Sequence, residues 1–379
     1  MGRRSVTLAA ALAVGGWTLL GATPALAAGW HVAPSASPNE YKNFLQSVVR
    51  VPGTSQFWAA GYSLDQVGPT HSLIEHSNGT AWQVSPTASA PGRQLSGIAA
   101  SSPSRAWAVG VGNSGRPLIL AWNGSSWSKA TAPLPAGASG GFLTGIRAFS
   151  SSDVTAVGSW GSNTGEGPLV EHWNGSAWKA TAAPNPSGCS GTLSSVAAVP
   201  GTGKRFAVGF CQDNVTFANT ALIERFSGGS WSIVNAPAPA GSVLQSVTPL
   251  SAARVWAVGS FVNGSGVQRT LTERWNGSGW SIVASPNQTS GDNDWLQGVI
   301  AVPGTGTLWA VGNSLATGAI SERWNGSSWS LVAPARPGQA TDLEGVAASP
   351  GTTWAVGSFT PNSGGSGPIE RTLTEQRAN

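Results

Sequence analysis

Leu244-Gln245-Ser246-Val247, then Trp256-Ala257-Val258-Gly259, then Leu271-Thr272-Glu273-Arg274-Trp275-Asn276-Gly277-Ser278-Gly279-Trp280-Ser281: these three runs decide the fold. The chain repeats the block seven times at intervals of about fifty residues, and a Pro-rich spacer separates most copies. A period near fifty, with four short apolar runs per copy, is the pattern of a β-propeller. It predicts an all-β, seven-bladed ring of four-stranded antiparallel blades.

The first strand of each blade begins near Leu45, Leu95, Leu143, Leu193, Leu244, Leu296 and Leu343. Two residues on comes a Ser or a Gly (Ser47, Gly97, Gly145, Ser195, Ser246, Gly298 and Gly345), and then a Val or Ile. Strands converge at a propeller axis, so small residues mark this strand as the innermost. The second strand carries Trp58, Trp107, Trp256, Trp309 and Trp354, with Thr155 and Phe206 in the other two copies, and runs into a Gly. The third ends in most copies at an aromatic followed by Asn-Gly, the strongest short hairpin signal. The fourth opens on Trp82, Trp127, Trp178, Trp231, Trp280 or Trp329. A blade packs on both neighbours, which explains strands with little polar alternation.

The seventh copy stops at Asn379 without its Trp strand. The segment Trp30-His31-Val32-Ala33-Pro34 matches the missing strand and is expected to complete the last blade, which would remove two free sheet edges. Ahead of it, Arg3-Arg4, an apolar run to Leu20 and Ala25-Leu26-Ala27 read as a signal peptide over residues 1–27. Residues 28–379 are then one propeller domain, expected to be secreted by the general or the twin-arginine route. Charged residues are 9% of the chain and the net charge is +4, half of it from Arg3 and Arg4. That composition gives no electrostatic footprint for nucleic acid or anionic membrane, and no segment after the signal is apolar enough to span a bilayer. Cys189 and Cys211 are the only cysteines. They lie at neighbouring ends of the first hairpin in repeat four, and in an exported chain they are expected to pair as a disulfide.

The Trp-Ala-Val-Gly strand, the Leu-x-Glu-Arg-Trp strand and the Trp-Ser-x-Val strand together resemble a kelch repeat. The resemblance covers essentially the whole mature chain and implies a propeller, not an activity. The chain departs from the kelch pattern where a Gly-Gly doublet would stand, since Ser260 follows Gly259 and Ser358 follows Gly357. Among kelch-like propellers are copper radical oxidases, whose metal site uses tyrosine, histidine and cysteine. With only Tyr41 and Tyr62, four scattered histidines and paired cysteines, that chemistry is not expected here.

Residues that look catalytic recur in register. Glu75, Glu171, Glu224, Glu273, Glu322 and Glu375 share one slot, which implies a structural hydrogen bond repeated from blade to blade. No metal-ligand spacing, phosphate loop or nucleophile elbow occurs, and no cofactor is expected. The Asn-x-Ser/Thr matches, such as Asn123-Gly124-Ser125, follow from the hairpin turn.

Connections between strands two and three, and between blades, are the longer and more variable ones, and both emerge on one face. Function tends to sit on variable loops of a rigid scaffold. The expected ligand residues there are Tyr62, Arg93, Trp160, Phe261, Asp292, Asp294, Trp295 and Phe359. Flat aromatics beside amides and carboxylates suit a glycan or a protein surface. The reading is a monomeric, secreted, non-catalytic binding module. Its rivals are a carbohydrate-active lyase or hydrolase using Asp213, Asp292 or Asp294, and a structural spacer.

Overall fold

A computed structural model describes residues 29–87, 92–163, 165–289, 291–362 and 369–379. Residues 1–27, expected from the sequence to be a signal peptide, lie outside the described residues. Seven four-stranded antiparallel sheets span residues 42–84, 94–130, 140–182, 189–233, 243–283, 294–332 and 341–378, the last completed by His31–Val32. We call them blades one to seven. In six of them the strand order in space follows the chain, in the seventh the N-terminal strand stands outermost, and in every blade the strand opening the repeat lines the central channel.

Ring closure is as the repeat count requires. His31 and Val32 pair with Gln376 and Glu375, and Ala33 N–H donates to the Thr374 carbonyl at 2.9 Å. Trp30 is buried against Trp309 of blade six, ring centroids 5.5 Å apart, and its Nε1 donates to Ser321 Oγ at 2.9 Å.

The core is divided into seven apolar clusters, one per blade interface. Most share one plan. Trp58 packs on Trp122 and Trp127 of blade two, Phe206 on Trp275 and Trp280 of blade five, and Trp256 on Trp324 and Trp329 of blade six. Where Thr155 replaces the tryptophan, an ionic network fills the interface. Arg205 of blade four grips both Asp153 oxygens at 2.8 and 2.7 Å, donates to Thr155 Oγ1, and covers the Phe149 ring. The Cys189–Cys211 disulfide ties the first hairpin of that same blade, with Cα atoms 5.7 Å apart. Both cysteines lie inside strands, not just beyond them, because the blade-four hairpin is longer at its open end than the repeat alone implies.

The glycine inside each second strand, which runs on past it, has a steric cause. Every inner strand carries a β-bulge opposite it, as between Leu45 and Ser47 facing Gly61 and Ala60. The bulge pushes an inner-strand carbonyl onto the glycine, where a Cβ would lie 1.9–2.1 Å from that oxygen in all seven blades. Gly259→Ala must therefore displace backbone, at a cost of about 3 kcal/mol or more. Urea titration should show that loss, and no loss in Gly306→Ala, where a Cβ meets nothing. Equal stability of both variants would remove the steric argument.

The Ser/Gly position also behaves as expected. A Cβ on Gly145 would come within 2.5 Å of the Ser194 carbonyl of the next blade. Where the residue is serine, its hydroxyl accepts the next inner strand's N–H, as Ser246 does from Val299 at 3.2 Å. In the Asn-Gly turns the asparagine Oδ1 accepts two backbone N–H groups and the following hydroxyl. Ser125 N, Ser125 Oγ and Ser126 N all reach Asn123 Oδ1 within 3.0 Å, with Gly124 at φ +102°.

Candidate functional site

The bulge builds the axis of the molecule. Its extra residue is polar in every blade: Gln46, Ser96, Thr144, Ser194, Gln245, Gln297 and Glu344. All of them line a central channel of about 630 Å3. One of the seven is an acid. Glu344 accepts from Gln297 Nε2 at 3.0 Å and from Asn313 Nδ2 at 3.3 Å. Burial, then the Asp342 carboxylate, push its pKa up to about 7.

At the long-loop mouth, the position two before the bulge residue holds Phe44, Phe142, Trp295 and Asp342 in four of the blades. Phe44 stacks on Tyr62 with centroids 4.8 Å apart. Burial first, then the carboxylates of Glu344 and Glu370, raise the Tyr62 hydroxyl above its ordinary range. Burial and Glu370 likewise raise Asp342. Glu370 itself pairs with Lys42 at 3.5 Å. Phe44, Tyr62, Lys42, Asp342, Glu344 and Glu370 thus form one aromatic and acidic group where blades seven and one meet.

The structure separates the other expected site residues. Trp160, Phe261 and Phe359 follow the second-strand glycine by two and pack against the interface clusters. They seal blade tops. Arg93 is exposed at the start of blade two's inner strand, and Trp295 stands half-buried at the mouth. Asp294 is fully buried and accepts Gln288 N–H at 2.8 Å. Asn43 and Ser242 hold the same register position: Asn43 accepts Asn39 N–H from its own connection, and Ser242 accepts Ala221 N–H from blade four. Asp292 accepts Thr289 Oγ1 at 2.7 Å. Asp213 accepts the N–H groups of Val215 and Thr216, which hold its pKa below the usual carboxylate range. Each of the three aspartates is tied to its own loop.

The repeated glutamates are buried completely. The hydrogen bond expected in every blade forms in only three: Glu75 accepts Ser35 Oγ, Glu322 accepts Ser285 Oγ, and Glu375 accepts Ala335 N–H. These partners come from the tail of the preceding outer strand, so the bond clips adjacent blades together. Among the described residues Glu171, Glu224 and Glu273 have no partner, because the tails behind them present no donor that reaches them. Burial raises the pKa to about 7 at Glu75 and to about 8 at the other five.

Of the residues expected from the sequence, Tyr62 and Trp295 stand at the mouth, beside Asp342, Glu344 and Glu370, which the sequence reading did not single out. The signal was available for Glu344, since aligning the repeats shows an acid where the other six have an amide or a hydroxyl. Among the described residues no group of three histidine, cysteine or carboxylate side chains is placed to hold a metal.

No protein-family model and no curated protein matches the chain. Solved structures do. "YCF48 bound to D1 peptide" is similar at TM-score 0.55 and 15% identity, covering 93% of this chain and 98% of that one. The WD40 propeller domain of Doa1 matches at TM-score 0.56 and 12% identity, over 92% and 97%. The propeller of the Trilobed protease from Pyrococcus furiosus, described as having an open velcro topology, matches at 0.53 and 8%, over 88% and 94%. At such identities the likeness shows the propeller fold alone.

Proposed function

We propose that this chain is a non-catalytic binding module that takes a polypeptide segment on its long-loop face, centred on the channel mouth between blades seven and one. The observation that carries this is the mouth group. Half-exposed stacked rings stand beside three acids, at positions the repeat does not require. Such a surface suits a basic side chain, held by carboxylates and by the face of Tyr62, with the neighbouring chain lying across Phe142 and Trp295. The similar fold of a propeller described in complex with a peptide supports the reading by analogy. A glycan is the alternative ligand of the same rings, since their faces would also take the apolar side of a sugar. Export is part of the proposal, supported by the leader-like N-terminal sequence and the disulfide.

The test is a peptide array and a glycan array, each probed with the folded protein. Basic peptides should be retained, and Tyr62→Ala should weaken the best of them about tenfold, the ordinary effect of removing a central aromatic. Two blank arrays, or retention indifferent to Tyr62, would sink the reading.

A further inference from the structure

The channel holds one side chain that neither the repeat nor the mouth explains. Arg147 lies on blade three's inner strand, Gly140–Ser150, toward the short-loop end. It lines the channel and is exposed within it. The equivalent residues of the other blades are Val49, Ala99, Ala197, Thr248, Ile300 and Ala347, so a scaffold of this kind works with small or apolar groups there.

Among the described residues its guanidinium has no hydrogen bond and no ion pair. Water reaches it down the channel, but protein surrounds it, and that burial weakens its hold on the proton. An uncompensated charge in such a wall costs stability. The channel's other arginine, Arg50, is one step nearer the short-loop mouth and is tied through Nε to the Thr54 carbonyl at 3.0 Å. Its one acid, Glu344, is three positions nearer the opposite mouth, with both oxygens occupied.

We propose that the channel binds a small carboxylate, gripped two-fold by Arg147, with an apolar body against the side chains at that level. One planar fork of N–H donors matches the two oxygens of a carboxylate. A single positive charge balances a monoanion. A dianion would need a second charge at the same level, and the channel's other arginine, Arg50, is a step away and turned to the Thr54 carbonyl. Val49 and Ile300 offer the alkyl part a wall.

The carboxylate can belong to a free acid or to a chain terminus, and the probes separate the two. Phenylglyoxal modification of Arg147, followed by peptide mass spectrometry, should slow at least fivefold with hexanoate and not with hexanamide. If only acetyl-Gly-Val-Leu with a free carboxyl protects, and its amide does not, the source is a chain terminus. Arg147→Met should keep or raise the melting temperature and abolish the shift that the protecting carboxylate produces. No protection by either acid, equal protection by the amides, or a clear loss of stability in Arg147→Met would overturn the proposal. Tyr62→Ala should leave the protection intact, so this site and the long-loop reading fail separately.

Discussion

Removing residues 29–38 is expected to cost this ring about 5 kcal/mol or more. Trp30 alone buries an indole against blade six, which is worth on the order of 4–6 kcal/mol gross before ordering entropy. The cut also strips Ser35 from Glu75 and from Thr372, contacts of 2.8 and 2.9 Å. It leaves Arg371–Ala378 as a bare sheet edge. With about 2 cal/mol/K of unfolding entropy per residue, the melting temperature should fall by roughly 7 °C if the ring melts as a unit. A synthetic peptide of residues 29–38 should restore part of the loss in a concentration-dependent way, because a ligand of the folded state stabilises it by mass action. Scanning calorimetry of the truncated chain is the measurement. A melting curve that matches the intact chain would show that the strap closes nothing.

Stability should also fall as pH rises, opposite to the trend set by paired surface carboxylates. The six repeated glutamates have folded pKa values of about 7 to 8, raised by burial. An unfolded glutamate titrates near 4.3. The folded state therefore holds protons that the unfolded chain has released, and linkage makes stability decrease with pH across that interval. The contribution is whole below about pH 4 and is lost as pH passes through 7 to 8. A three-unit shift corresponds to on the order of 4 kcal/mol for one site. Six such sites cannot each cost that much in a fold of ordinary stability, so the alkaline protein should hydrate its interfaces and melt early. The melting temperature is expected to drop by about 10 °C or more between pH 5 and pH 9. Glu171→Gln should shrink this slope: it loses a little at pH 5, where the amide has no acceptor, and gains at pH 9. A flat or rising profile from pH 5 to pH 9 would contradict the burial argument.

The two expectations rest on different kinds of knowledge. Closure by Trp30 was legible because a Trp strand was missing from one end of the chain and surplus at the other. The glutamate slot was legible as structural because it recurs, but its hydrogen bonds were not. Whether a carboxyl finds a donor depends on the tail of another blade, about forty residues away, as with Ser35 and Glu75. Asp294 looked like chemistry in isolation. Its register match with Asn43, which also accepts an N–H from its own connection, shows a pinning residue instead.

Local rules acting within one copy set the strands, the turns and the blade count, so the amino-acid order alone determined them: Asn-Gly turns, small residues at the axis, and a large ring in six of the seven second strands. The tertiary structure alone decided what the axis presents. An inner-strand bulge, invisible in composition, turns one residue per blade toward the channel and requires the facing glycine. Only when the ring closes do residues some fifty apart in sequence become neighbours. That convergence sets Glu344 among amides and hydroxyls, groups Tyr62 with Asp342 and Glu370, and leaves Arg147 in the channel without a partner among the described residues.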